Sequence, residues 1–131
     1  MNNHNSETGS ESALEGIKVL VVEDEALVGM LLEDMLHDIG CGKVEVLSRF
    51  ADGLQAATSG DFDLAVLDVN LDGVPSFPIA EQIIARNIPL LFATGYGSGG
   101  MDPRFSNVPT LQKPFFFSDL EKGVRVALSR R

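Results

Sequence analysis

Five short runs of apolar residues alternate along the chain with longer segments in which apolar residues recur every three or four positions. The short runs are rich in β-branched residues, and their nearly continuous hydrophobicity is typical of strands covered on both faces. They lie at residues 17–22, 44–47, 64–67, 88–93 and 110–112. The alternation predicts an α/β protein with a doubly wound, five-stranded parallel sheet and helices on both faces.

Start and stop signals bound several of the predicted helices. The first helix follows residue 25 and carries one apolar stripe until Gly40, which ends it. Ser48 is the predicted cap of the second helix, which closes at Gly60. Ser118 and Asp119 are predicted to open the last helix, where apolar residues again recur at helical spacing.

Two stretches show neither the strand pattern nor the helix pattern of apolar residues. Residues 1–15 are polar and predict a flexible N-terminal tail, which leaves residues 16–131 as one domain. The region at about 95–108 holds four glycines and Pro103 and shows no helical stripe. It predicts a long, irregular and partly mobile loop between the fourth and fifth strands. We expect no output domain after the last helix.

Composition and charge narrow the function. A chain of 131 residues, 44% of them hydrophobic, suffices for one packed core. Ten basic residues against nineteen acidic ones give a net charge of -9, which disfavours a nucleic acid partner. The N-terminus shows no signal peptide, no apolar run is long enough to span a membrane, and the single Cys41 excludes an internal disulfide. We therefore expect a cytoplasmic protein that binds neither nucleic acid nor a membrane.

Polar residues follow four of the predicted strands at their carboxyl ends. They are Glu23, Asp24, Asp68, Thr94 and Lys113. Because ligands bind beyond the carboxyl ends of parallel strands, we expect these side chains to converge. Two like charges 4 Å apart repel by about 4 kcal/mol at an effective dielectric of about 20, and one lysine cannot offset three carboxylates. Hard oxygen ligands favour Mg²⁺ as the missing positive charge.

A pocket of this kind can accept a phosphoryl group. Asp68 is a carboxylate able to attack phosphorus, while Mg²⁺ and Lys113 neutralise the phosphoryl oxygens. The Thr94 hydroxyl can donate a hydrogen bond to one of those oxygens. Taken singly, each residue has an ordinary role in a turn, at a cap or on the surface. Their joint occurrence at strand ends predicts a site.

With these residues in these positions, the chain from about residue 17 to residue 128 resembles the receiver domain of bacterial two-component response regulators. The resemblance implies a flavodoxin-like topology. It further implies that Asp68 is the phosphoacceptor, that Asp24 binds Mg²⁺ directly and that Glu23 binds it mostly through water. By the same resemblance, the backbone carbonyl of Asn70 completes the metal shell.

The resemblance also covers the other end of the pocket. It implies that Thr94 is the switch hydroxyl and that Lys113 contacts the phosphoryl group. It further implies a cis peptide between Lys113 and Pro114, a conformation found in only about 5–6% of bonds that precede proline.

Two features depart from the usual receiver pattern. Receivers usually carry an aromatic switch residue three positions before the lysine, where this chain has Thr110. Residues 92–97, Phe-Ala-Thr-Gly-Tyr-Gly, are similar to the motif of a receiver subgroup often called FATGUY. That subgroup tends to consist of single-domain proteins linked to histidine kinases of the HWE and HisKA2 type, with a rearranged region at the fourth helix. We therefore expect Tyr96 and the glycine-rich loop to report phosphorylation; a packed or solvent-facing loop tyrosine is the alternative.

We expect a single-domain response regulator rather than an enzyme. It would take its phosphoryl group from a histidine kinase or a phosphotransfer protein, and would act through a protein partner or as a phosphate sink. Its only reactions of its own would be self-phosphorylation from small donors and self-dephosphorylation.

Three other functions use parts of the same pattern. An aspartate-based phosphohydrolase needs a second Asp where Asn70 stands, and a flavodoxin-like carrier needs a phosphate-binding loop where residues 23–25 are acidic. A pseudo-receiver that binds partners without phosphorylation stays open, although the joint presence of Asp24, Asp68, Thr94 and Lys113 disfavours it.

Overall fold

The predicted strands form one parallel sheet in the computed structural model, which describes residues 14–95 and 101–130. Within those ranges the strands of this sheet are β1 (Lys18–Val22), β2 (Lys43–Leu47), β3 (Leu64–Asp68), β6 (Leu90–Thr94) and β7 (Thr110–Gln112). Their order in the sheet is β2-β1-β3-β6-β7, and every neighbouring pair is parallel. A short antiparallel hairpin, β4 (Asn70–Leu71) with β5 (Val74–Pro75), follows β3.

Helices cover both faces of the sheet, as the alternating pattern predicts. The described ranges contain α1 (Ala26–Ile39), α2 (Phe50–Ser59), α3 (Phe77–Ala85) and α4 (Phe117–Ser129). One hydrophobic cluster joins α1 and α4 to one face, and a second joins α2 and α3 to the other. The fold is therefore the doubly wound α/β architecture that the sequence predicts. In the part of the chain that the structure describes, no helix is long and apolar enough to cross a membrane.

The two central strands explain why the sequence shows unbroken apolar runs. Every residue of β3 and of β6 is buried, because successive side chains point alternately into the two hydrophobic clusters. Asp68 and Thr94 are the last residues of these strands and are also buried. The core thus fixes the backbone that carries both polar groups.

Two helix starts differ from the prediction. α2 begins at Phe50 after an extended Arg49, so Ser48 lies outside the helix and is not its cap. α4 begins at Phe117, so Ser118 and Asp119 lie within its first turn. Asp119 still serves the helix start, since its Oδ2 accepts a hydrogen bond of 2.8 Å from the Phe116 N–H. Phe50 packs partly buried against the cluster of α2 and α3, whereas Phe117 is exposed.

Both irregular stretches contain ordered structure. The predicted tail includes Leu14, but Leu14 is only 4% exposed and packs in the cluster of α1 and α4. Between β6 and β7, the described residues form a 3₁₀ turn at Pro103–Phe105, and Phe105 is buried against α3 and β6. Residues 1–13 and 96–100, with Tyr96 among them, lie outside the described residues.

Candidate functional site

Asp68 ends the central strand β3, between β1 and β6. Its side chain is almost fully buried and lies at the base of an open cleft of about 710 Å³. The Asp68 Oδ2 accepts a hydrogen bond of 3.1 Å from the Lys113 Nζ, and its Oδ1 accepts one of 3.3 Å from the Asn70 N–H. These two donors hold both oxygens of the carboxylate.

Glu23 and Asp24 follow β1 and meet Asp68 across the sheet. Carboxylate oxygens of all three residues lie within 4.8 Å of one another. Glu23 is 1% exposed, whereas Asp24 is partly exposed and lines the cleft. The expected convergence of these carboxylates is therefore observed, and it follows from the order of the strands.

Lys113 is the cation at the centre of this cluster. Its Nζ lies 2.7 Å from the Glu23 Oε1, 3.1 Å from the Asp68 Oδ2 and 3.7 Å from the Glu25 Oε1. The Lys113 N–H also donates to the Thr94 carbonyl over 2.8 Å, which ties the loop after β7 to the end of β6. The peptide bond between Lys113 and Pro114 is cis, as the resemblance implies. Glu25 was not among the predicted site residues; its place in the acidic run 23–25 was the only signal.

Burial and hydrogen bonding act in opposite directions on this cluster. Burial raises the pKa of Glu23 to about 7, against the lowering effect of the hydrogen bonds from Lys113 and from the Glu25 N–H. Burial would lower the pKa of Lys113, but its hydrogen bonds to Glu23 and Asp68 outweigh burial and raise it. Lys113 is therefore charged at neutral pH, while ionising Glu23 is unfavourable without further positive charge nearby.

The donor set fits a hard divalent cation. Three carboxylates face one lysine, and oxygen ligands with room for water are what Mg²⁺ prefers. Asp24 and Asp68 both line the open cleft, so a cation and a phosphoryl group could reach them together. Glu23 is fully buried and does not line the cleft.

Thr94 lies beside this cluster rather than within the cleft. It ends β6, is buried, and lines a neighbouring cavity of about 450 Å³ with Met101, Phe105 and Thr110. Thr110 occupies the position where the resemblance calls for an aromatic residue, and its hydroxyl donates to the Val108 carbonyl over 3.2 Å. The structure thus brings Glu23, Asp24, Asp68 and Lys113 together and places Thr94 next to them.

The hairpin β4–β5 is the part of the site that sequence reasoning missed. Its turn residues Asp72 and Gly73 both have positive φ, and the Asp72 N–H donates to the Asp24 Oδ2 over 2.9 Å. The sequence did hold a signal, because Asp-Gly is a preferred pair for a two-residue hairpin turn in which both central residues have positive φ.

Comparison with known proteins matches this geometry to one family. The family model for the response regulator receiver domain matches residues 19–125. The solution structure of SdrG from Sphingomonas melonis Fr1 is 40% identical, with a TM-score of 0.77, over 87% of this chain and 98% of that chain. The receiver domain of PhyR from Erythrobacter litoralis is 25% identical, with a TM-score of 0.75, over 89% of this chain and 93% of that chain.

Longer curated relatives match over the same region. The transcriptional regulatory protein PdtaR of Mycobacterium tuberculosis is 30% identical over 120 residues, which is 86% of this chain and 57% of PdtaR. The chain thus spans about half the length of the curated relatives it matches.

Proposed function

The chain belongs to the response regulator receiver domain family, and from this we propose that it accepts a phosphoryl group on Asp68 in a Mg²⁺-dependent reaction. The observation that carries the proposal is the convergence of three carboxylates and Lys113 at the carboxyl end of β3. Receiver domains are signalling domains that interact with histidine kinases or phosphotransfer proteins. Such a protein is therefore the proposed donor.

The chain's own residues account for the transfer step. An oxygen of Asp68 forms the new bond to phosphorus, and the bond from phosphorus to the donor atom breaks, with its electron pair left on the donor. Lys113 and the Asn70 N–H hold the Asp68 carboxylate in place for this attack. After transfer, the Lys113 ammonium remains beside the added negative charge.

Mg²⁺ would be held by Asp24 and Asp68 directly, by Glu23 mostly through water and by the Asn70 carbonyl. When bound, it supplies positive charge against the oxygens of the phosphoryl group. Thr94 is proposed to donate its hydroxyl to one of those oxygens, from its place at the end of β6.

A docking surface for the donor protein borders the cleft. Val28, Leu31 and Phe115 line the cleft together with Asp68. Large apolar side chains that neighbour these residues in the chain are exposed on α1, just before α4 and at the first residue of α4: Leu27, Met30, Leu31, Phe116 and Phe117. Leu27 is 80% exposed and Phe116 is 78% exposed. Because exposed apolar patches often mark interaction sites, we assign this surface to the phosphodonor protein.

The output is proposed from the sequence motif. The Phe-Ala-Thr-Gly-Tyr-Gly segment supports a single-domain FATGUY-type regulator with a kinase of the HWE or HisKA2 type as its donor. Phosphorylation would be reported by Tyr96 and the surrounding loop, in place of an aromatic residue at position 110. The protein would then act on a partner in the cytoplasm or drain phosphoryl groups from its kinase.

Intact mass spectrometry after incubation with Mg²⁺ and acetyl phosphate tests the phosphoacceptor. We expect one added phosphoryl group, lost in Asp68→Ala and in a sample chelated with EDTA. Asp61→Ala is the matched control, because Asp61 is an exposed aspartate at the opposite end of the sheet. Absence of the modification, together with no effect of Mg²⁺ on the NMR signals of Asp24 and Asp68, would favour a pseudo-receiver.

A further inference from the structure

The hairpin β4–β5 is joined to the proposed metal ligand Asp24 by a backbone hydrogen bond. The Asp72 N–H donates to the Asp24 Oδ2 over 2.9 Å. We propose that this hairpin is a positioning element of the metal site, which holds one oxygen of Asp24 so that the other is presented to the cation. The inference rests on the proposed function, since it concerns the same Mg²⁺ site.

Three features fix the direction of the Asp72 N–H. Asp72 and Gly73 form the turn with φ of 53° and 87°, both in the left-handed region. The Asn70 side chain closes the turn, because its Oδ1 accepts a hydrogen bond of 2.7 Å from the Gly73 N–H. At the base of the hairpin, the Ser76 N–H donates to the Val69 carbonyl over 2.9 Å. The N–H that contacts Asp24 is therefore held from both sides.

The hairpin contributes little to the hydrophobic core. Leu71 is its one buried residue, whereas Asn70, Asp72, Gly73 and Val74 are exposed. Asp tolerates a left-handed backbone, and Asp-Gly is a preferred pair for this kind of hairpin turn. The turn places the Asp72 N–H on a carboxylate of the acidic cluster. Since the hairpin buries little, this hydrogen bond to Asp24 carries the argument for its role in the site.

The hydrogen bond from the Asp72 N–H also reduces the repulsion between Asp24 and the neighbouring carboxylates. Asp24 lies within 4.8 Å of both Glu23 and Asp68, measured between carboxylate oxygens. A backbone N–H on the Asp24 Oδ2 offsets part of that repulsion and restricts the rotation of the carboxylate. A ligand held in this way by a neighbouring group binds metal more tightly than a freely rotating one.

Substitution of Gly73 tests the positioning role in the full chain. A Cβ at this position would meet no atom within 4 Å, so Gly73→Ala changes the backbone preference of the turn without a clash. We expect Mg²⁺ to bind about tenfold more weakly, as measured by titration of backbone amide NMR shifts. Gly16→Ala is the matched control, because its Cβ also meets no atom and Gly16 lies far from the cleft. Equal affinities in Gly73→Ala and Gly16→Ala would overturn the inference.

Two further variants separate the backbone from the side-chain charge. Asp72→Asn removes the carboxylate but keeps the N–H and tolerates positive φ, so we expect its Mg²⁺ affinity to stay within about threefold of the parent protein. Asn70→Ala keeps the backbone carbonyl but removes the acceptor of the Gly73 N–H, and it should weaken Mg²⁺ binding. Weakening by Asp72→Asn alone would assign the effect to charge and contradict the proposed N–H role.

The design separates this inference from the proposed function. If the parent chain binds no Mg²⁺ at Asp24 and Asp68, the metal site itself fails. If the parent chain binds Mg²⁺ and Gly73→Ala binds it equally well while both remain folded by NMR, only the positioning role fails.

Discussion

The ammonium of Lys113 contacts Glu23 more closely than it contacts Asp68, at 2.7 Å against 3.1 Å. Glu23 is 1% exposed, so its charge is stabilised by this partner and by the Glu25 N–H rather than by solvent. Lys113 therefore links a buried acid to the proposed phosphoacceptor. A cation bound beside Glu23 would stabilise the Glu23 carboxylate in place of Lys113. The Lys113 ammonium would then interact more strongly with Asp68.

Loss of Lys113 should destabilise the fold. In Lys113→Met, the buried carboxylates of Glu23 and Asp68 lose their common partner, and removing one side of a buried ion pair costs about 3 kcal/mol. We expect the free energy of unfolding, measured by urea denaturation near neutral pH, to fall by about that amount.

Lys18→Met serves as the control for Lys113. The Lys18 Nζ lies 3.2 Å from Asp61, but the side chains are 47% and 91% exposed. Exposed ion pairs contribute about 1 kcal/mol or less, so the control should change little. Equal losses in the two variants would show that Lys113 does not support the acidic cluster.

Glu23 should make stability depend on pH. Its pKa in the folded protein is raised from the ordinary 4.5 to about 7, chiefly by burial. A group with a raised folded pKa contributes stability that is fully present below its unfolded pKa and is lost as the pH rises through the folded value. In buffer with EDTA, stability should therefore decline between about pH 4.5 and about pH 7.

Glu23→Gln should flatten that decline, because glutamine does not ionise but keeps a similar shape. Thermal unfolding of both proteins across the pH range provides the measurement. A decline of equal slope in Glu23→Gln would assign the dependence to another group.

The sequence predicted the parts of the fold that burial dictates. β3 and β6 are buried on both faces, so their residues are continuously apolar, and the strand order then brings Glu23, Asp24 and Asp68 to one place. Convergence of the acids needed only the topology of the sheet, not any local interaction between them.

Features that show no periodic pattern of apolar residues were not predicted from the sequence. The hairpin β4–β5 has two residues in each strand, too few to show alternation. Phe105 is a single buried aromatic within a polar stretch, so no neighbouring position reveals which way it points. Ser48 is not a cap, because cap preference is only local and α2 instead begins at Phe50 after an extended Arg49.

Phe105 should anchor the segment between β6 and β7. Its ring stacks on Phe77 at 5.4 Å and meets the edge of Phe92 at 5.7 Å, measured between ring centroids. Phe105→Ala opens a cavity in this cluster, and we expect the free energy of unfolding to fall by about 3 kcal/mol. Arg104→Ala breaks exposed ion pairs to Asp102 and Glu81 and should reduce stability less than Phe105→Ala does. Urea denaturation measures the free energy of unfolding of both variants. A larger loss in Arg104→Ala than in Phe105→Ala would show that Phe105 does not anchor this segment.

The apolar surface beside the cleft should matter for transfer from a protein donor and not for a small one. Leu27→Ala and Phe116→Ala each remove an exposed side chain that is next in the chain to a residue lining the cleft, so neither should alter folding or phosphorylation by acetyl phosphate. Transfer from a histidine kinase of the HWE or HisKA2 type should slow about tenfold, because loss of one central interface side chain commonly costs above 1 kcal/mol. The rate of transfer is measured with radiolabelled phosphoryl groups and a panel of kinases.

Ile84→Ala is the matched control for this surface. Ile84 is also an exposed aliphatic residue, at 42%, but it lies on α3 away from the cleft. It should leave transfer from both donors unchanged. Slower transfer from acetyl phosphate in Leu27→Ala or Phe116→Ala would mean that these residues shape the Asp68 pocket itself. Slower transfer from the kinase in Ile84→Ala would instead place the docking surface on α3. A residue that contacts the donor protein affects the rate of transfer from that protein but not the rate of transfer from acetyl phosphate.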